Sequence, residues 1–376
     1  MKKLNNNQVD TLKMKKKIYI TQPYLPPLEE YVDYLENIWD SKVVTNGGQY
    51  VSLFEKELAK KLDVRFVTPV CSGTMGLLVA LQSLDLSHGE VITTPFSFVA
   101  TSHAIDWLGL KPVFADVDNI TGNLDPNSVE KLISNKTKAI LAVHNFGIPE
   151  NVNTMQSLSQ KYKLPLIYDS APGLGVKYKS QSIFKFGDLS IASFHGTKVL
   201  TTFEGGMIVS NKKEHKEKID LLINFSLKNN KVFGLGINAK MNEVQASMGL
   251  LQLKYLDKSI KARKEIYNYY YENLSELNFL KFASISADID YNYSYCTLFF
   301  DNSKILRDRV YHRLKENNIF CRRYWYPLIT DHDYYSESND SLKIAKKLSK
   351  EVLNLPIYPN LDFQDIDRII KIIKSF

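Results

Sequence analysis

A lysine, an aspartate and a turn of small residues are the groups in this chain best placed to do chemistry. Ser193-Phe194-His195-Gly196-Thr197-Lys198 sets a lysine just past a β-rich run, with Glu204-Gly205-Gly206 following. A lysine desolvated there favours its neutral form and becomes a nucleophile toward carbonyls; the plainer alternative is a solvated surface lysine. Tyr168-Asp169-Ser170-Ala171-Pro172 closes an apolar run, so Asp169 either faces a ligand crevice or caps the next turn. Cys71-Ser72-Gly73-Thr74 separates a β-rich run from an apolar helical one. A helix amino terminus at that point offers free N–H groups and a positive dipole end to an anion, or Ser72 is an ordinary cap. His195 has no partner at metal-ligand spacing and reads as packing or as a support beside the site; no metal is expected. An anion-binding helix start, then a carboxylate, then a lysine about 29 residues later suits pyridoxal phosphate. That cofactor needs a phosphate cup, an acid against its pyridine nitrogen and a Schiff-base lysine.

The elements around these groups alternate. β-rich runs at Arg65–Val70, Glu90–Thr94, Pro112–Asp116, Ala139–His144, Pro165–Asp169, Leu189–Phe194 and Gly206–Ser210 are mostly separated by helical stretches at Gly73–Leu84, Val99–Leu108, Asn127–Ile133 and Asn153–Tyr162. Two helices precede them, at 28–40 and 50–62, the second with Val51, Phe54, Leu58 and Leu62 on one face. Such alternation predicts an α/β fold with a mostly parallel sheet. Helices are expected at Ala239–Leu256 and Asp257–Leu277. A strand at Tyr291–Asp301, a helix at Leu306–Asn317, a strand at Ile319–Tyr324 and helices at Ser341–Leu353 and Phe363–Lys374 then suggest a smaller α+β domain. The division reads as a leader at 1–17, a large domain at 18–256 and a small C-terminal domain at 257–376.

The chain has 376 residues, 44% apolar and 24% charged, the mix of an ordinary globular protein. Its net charge of +7 is uneven, because residues 1–17 hold six lysines and one acid. The excess therefore sits in a polar leader that reads as disordered or as lying before a start at Met14, and nucleic-acid binding is not expected. No apolar run approaches the length of a membrane helix, and no secretory signal follows Met1. Three scattered cysteines make no disulfide framework, so a reducing cytoplasm is the default.

Several ordered motifs resemble the DegT/DnrJ/EryC1/StrS sugar aminotransferases, from about Ile18 to the C-terminus. They are Ser72-Gly73-Thr74, Thr94-Pro95-Phe96-Ser97-Phe98-Val99-Ala100-Thr101, Val143-His144-Asn145-Phe146-Gly147-Ile148-Pro149, Asp169-Ser170-Ala171, Ser193 to Lys198, Gly236 to Ala246, and Leu355-Pro356-Ile357-Tyr358-Pro359. The resemblance implies the type I, aspartate aminotransferase-like fold and pyridoxal 5'-phosphate as cofactor. By position, Lys198 would bond to the cofactor and Asp169 would pair with its pyridinium nitrogen. Phe98 would stack on the ring, and Ser72, Gly73, Thr74 and Ser193 would hold the phosphate. Asn238 would reach the phosphate of a second subunit, so a homodimer with shared active sites is implied. Two positions depart from the family pattern. Pro172 stands where Gln or His is usual beside the ring hydroxyl, and Ala239-Lys240 replaces the usual Tyr-Arg.

The segment Asn238 to Glu243 and the opening Thr21-Gln22-Pro23-Tyr24-Leu25-Pro26 resemble the viosamine-type branch. That branch implies amination of carbon four of dTDP-4-keto-6-deoxy-D-glucose, with L-glutamate as donor. Lys240, Arg322 and Arg323 are candidates for the diphosphate, and Tyr324 or Trp325 for stacking on the base. An aminotransferase acting at carbon three or on a UDP-sugar fits the same motifs. Lys198 argues against the family's dehydratase branch, in which histidine replaces it. A non-catalytic sensor on the same scaffold is the remaining alternative.

Overall fold

A computed structural model describes residues 16–86, 88–301, 303–336 and 341–376. Most of the leader thus lies outside the described residues. β1 (Ile18–Tyr19) is followed by α1 (Leu28–Ser41) and α2 (Gln49–Leu62). Tyr50, Phe54, Leu58 and Leu62 form the buried face of α2, and both helices stop where Lys42 and Asp63 turn left-handed.

The large domain then alternates. β2 (Phe66–Val70) leads into α3 (Gly73–Gln82), β3 (Glu90–Thr93), α4 (Ala100–Asp106), β4 (Lys111–Phe114), α5 (Pro126–Leu132) and β5 (Thr137–Val143). After these come α6 (Val152–Tyr162), β6 (Leu166–Asp169), β7 (Leu189–Ser193), β8 (Gly206–Ser210) and α7 (Lys213–Leu222). The starts of α3, α5 and α6 follow from Ser72, Asp125 and Asn151, whose side chains accept from the first helical N–H groups. The seven strands lie in the order β2-β8-β7-β6-β5-β3-β4. β8 runs antiparallel to both neighbours, and every other pairing is parallel. All four residues of β6 are buried, as expected of a strand covered on both faces.

One 32-residue helix, α8 (Glu243–Leu274), spans what the sequence reads as two successive helices, and it crosses residues 256 and 257 unbroken. Asn242 and Gln245 close its start with a reciprocal capping box. The chain then forms β9 (Leu280–Phe282), β10 (Cys296–Phe300), α9 (Lys304–Glu316), β11 (Ile319–Phe320), α10 (Lys343–Glu351), β12 (Val352–Leu355) and α11 (Phe363–Lys374). β9, β10 and β12 make a three-stranded antiparallel sheet. Tyr270 and Leu274 of α8 share its core with Leu298, Phe300, Val310 and Ile369. β1 pairs in parallel with β11, which ties Ile18 to this end of the molecule.

Candidate active site

The carboxyl ends of β2, β5, β6 and β7 open on one cleft of about 340 Å3. Such a crevice is where open α/β sheets bind ligands. At one end α3 begins. Ser72 Oγ accepts from Met75 N at 3.2 Å, and its carbonyl accepts from Gly76 N at 3.0 Å. The hydroxyl is thus a cap, and among the described residues no acceptor engages the N–H groups of Gly73 and Thr74. Gly73 is required by packing, since a Cβ there would stand 2.9 Å from Ser193 Cβ. Ser193 faces the same corner, its Oγ receiving a 3.4 Å contact from His195 N.

Asp169 ends β6 and is 6% exposed. Its Oδ2 accepts from Thr101 Oγ1 at 2.8 Å and its Oδ1 from Ala171 N at 3.1 Å. Ser97 Oγ lies 3.0 Å from Thr101 Oγ1 and completes the chain. Burial raises the Asp169 carboxyl above the ordinary range, against the lowering effect of Thr101, Ala171 N–H and the Lys198 charge. Lys198 sits in the turn after β7, held by a 2.9 Å bond from its N–H to His195 O. Burial lowers its ammonium, while Asp169 and Tyr324 pull the other way. His195 lies at the rim, not in packing: its Nδ1 is 2.8 Å from Thr197 Oγ1 and its Nε2 is 3.5 Å from Glu204.

Aromatic rings form the outer wall. Phe98 is 60% exposed, and its ring centre is 6.0 Å from that of Trp325. Trp325 stands 4.7 Å from Tyr324 and donates from Nε1 to Asn145 Oδ1 at 2.8 Å. Pro172 lines the cleft, and its carbonyl accepts from Asn292 Nδ2 and Ser294 Oγ at 2.7 and 3.0 Å.

Of the five substrate candidates, the two aromatic ones, Tyr324 and Trp325, line this cleft, and the three cations do not. Arg323 is committed to Asp308 at 2.9 Å and lies over the Tyr311 ring, so it is no free cation here. Lys240 Nζ donates to Asn224 Oδ1 at 2.7 Å over the Phe225 ring. Arg322 is exposed, its backbone paired with Asn354. Asn238 is exposed too and bridges Asn224, away from the cleft of its own chain. Sequence reasoning gave no role to Asn145 or Tyr295, and none to the hold of Thr101 on Asp169. Asn145 and Thr101 fall inside motifs that were legible; nothing in the sequence singles out Tyr295. Among the described residues, no His/Cys/Asp/Glu cluster could hold a metal.

The residues fit pyridoxal phosphate. A buried carboxylate with no basic side chain in ion-pair contact calls for a cationic partner, which a pyridinium supplies. Two unpaired helix-terminal N–H groups suit a phosphate. A lysine with a lowered ammonium suits a carbonyl carbon. A model of the DegT/DnrJ/EryC1/StrS aminotransferase family matches residues 28–374. The chain is 41% identical to a dTDP-4-amino-4,6-dideoxy-D-glucose transaminase of Shigella dysenteriae, over 96% of this chain and 100% of that protein. It is 40% identical to a transaminase of the same name from Escherichia coli, over 95% and 98%. The solved structure of DesI in the presence of its TDP-sugar product superposes with a TM-score of 0.91 at 30% identity, covering 96% of this chain and 92% of that one.

Proposed function

The chain belongs to the DegT/DnrJ/EryC1/StrS aminotransferase family, and from that premise we propose that it moves the amino group of L-glutamate to carbon four of dTDP-4-keto-6-deoxy-D-glucose. The observation that carries the reading is Asp169 and Lys198 lining one cleft with the start of α3, in a chain similar to transaminases named for that amino sugar.

Pyridoxal phosphate, when bound, supplies the electron sink that lets a carbon next to nitrogen lose its proton. The protein does the rest. The N–H groups of Gly73 and Thr74, with Ser193 beside them, bind the phosphate. Asp169 keeps the ring nitrogen protonated, and Thr101 and Ala171 N–H fix both its oxygens. Lys198 Nζ, once free, takes the proton from the α-carbon of glutamate; in the second half it returns a proton to carbon four of the sugar. Burial, by favouring the neutral amine, prepares it for the first task. Phe98 and Trp325 offer aromatic faces along the outer wall of the cleft.

Asn238 adjoins an exposed apolar stretch that includes Phe225, Val232, Phe233 and Leu235. We read this stretch as covered by a second copy of the chain, so that two copies complete each other's sites. Among the described residues no helix is long and apolar enough to cross a membrane, and with all three cysteines free the reading extends to a cytoplasmic enzyme.

The test is one coupled assay with glutamate and a panel of acceptors. The dTDP-4-keto-6-deoxy sugar should be the best substrate. Thymine and uracil differ by one methyl, worth about 1 kcal/mol, so several-fold preference over the UDP sugar is expected. A better 3-keto acceptor would overturn the position aminated. A UDP sugar favoured more than about tenfold would overturn the nucleotide.

A further inference from the structure

The substituents of pyridoxal phosphate follow one another around its ring, and this chain fixes three of them. Asp169 would take the ring nitrogen, Lys198 the aldehyde carbon borne opposite it, and the start of α3 with Ser193 the phosphate. The ring hydroxyl is next to the lysine-bound carbon, on the edge away from the phosphate. In the strand order β8-β7-β6-β5 the phosphate corner belongs to β7 and β8, so the hydroxyl edge faces β5. The wall there includes His144, Asn145, Phe146, Pro172 and Tyr295.

That wall has few donors to offer. Pro172 has none, and its carbonyl is occupied by Asn292 and Ser294. Asn145 is spent: Nδ2 donates to Phe96 O and Gly122 O at 3.0 and 3.2 Å, and Oδ1 accepts from Trp325. His144 has a free Nε2, but its ring stacks at 4.4 Å on Tyr168. Successive strand residues point to opposite faces, so Tyr168 carries that ring away from Asp169. Tyr295 follows Ser294, whose hydroxyl is on the Pro172 carbonyl, and its ring rests 5.7 Å from Phe146 and 6.1 Å from Tyr324. Among the described residues its hydroxyl has no hydrogen-bond partner.

We infer that Tyr295 donates its hydroxyl proton to the ring oxygen of the cofactor, filling the place that Pro172 leaves without a donor. This rests on the reading of the cleft as a pyridoxal phosphate site. Burial pushes the phenol up to about 12, so it remains a donor at neutral pH. The titratable and charged groups around it are Asp169 from β6, Lys198 from the turn after β7, Tyr324 beside Trp325, Arg263 from α8 behind it, and Tyr291, whose hydroxyl lies 3.4 Å from the Tyr295 carbonyl.

The experiment is a pH titration of the visible absorbance of the holoenzyme. A bound chromophore in the wild type establishes the site itself. A donor on the ring oxygen weakens the grip on the proton shared by that oxygen and Lys198 Nζ. Tyr295→Phe should therefore raise the midpoint by about one pH unit, a tenfold change in proton affinity, with the circular dichroism spectrum unchanged. Adding Pro172→Gln to Tyr295→Phe should bring it back toward the wild-type value. A midpoint unmoved in Tyr295→Phe, or moved in Tyr324→Phe alone, overturns the assignment.

Discussion

Burial drives Asp169 and Lys198 in opposite directions, lifting the acid and depressing the ammonium, and each is held back by the other's charge. In the proposed site a cationic ring nitrogen would resolve the conflict for Asp169, and a covalent bond to a carbonyl carbon would resolve it for Lys198. Asp169→Asn keeps the shape but removes the charge, and its amide turns an N–H toward either Thr101 or Ala171 N–H. It should lose about 2–4 kcal/mol of transition-state stabilisation, read as a fall in kcat/KM. Near-normal turnover in this variant would mean that another group serves the ring nitrogen. Lys198→Ala should abolish turnover with an unchanged melting temperature, because a side chain at the cleft contributes little packing. These two residues are legible in the sequence because each follows an apolar strand in a recognisable motif. The bond from Thr101 to Asp169 is not, since it joins residues 68 apart that only the sheet brings together.

The elements place the site through one junction, where the start of α3 rests on β7 and β8. A Cβ at Gly206 would lie 2.7 Å from Ala192 O and 2.8 Å from Gly73 N, both backbone atoms with no room to yield. Gly206→Ala should destabilise the protein by about 1–3 kcal/mol and weaken cofactor retention, because Gly73 N belongs to the proposed phosphate cup. Calorimetry of the holoenzyme and equilibrium dialysis read the two effects. A variant with both unchanged would show that the junction can relax. The start of α3 was readable because Ser72 is a cap with a local partner, whereas α5 and α6 begin one residue before the expected Asn127 and Asn153, where Asp125 and Asn151 cap them. Ends set by long-range pairing were not readable. The apolar pattern of Ser341–Leu353 conceals a change at Val352, where the chain enters β12 and pairs with β10. The strand expected at Tyr291–Asp301 begins only at Cys296, because Asn292 and Ser294 are spent on the carbonyls of Pro172 and Leu174.

At the scale of the whole molecule, Asn238 and the apolar stretch before it point outward from their own cleft. If two chains share each site, a Lys198→Ala protein mixed with an Asn238→Ala protein under exchange should regain activity, since one site of each hybrid keeps both residues. No recovery, with hybrid formation shown by sedimentation, would contradict the shared arrangement. The alternating α/β order of residues 66–210 was legible from strand-length apolar runs. The continuity of α8 was not, because its buried face shifts from one body of the protein to the other near Leu256. The decisive measurement is borohydride reduction of the holoenzyme followed by peptide mapping. Lys198 should carry the reduced pyridoxyl group; a mark on any other lysine, or none, would contradict the site on which the proposed transamination depends.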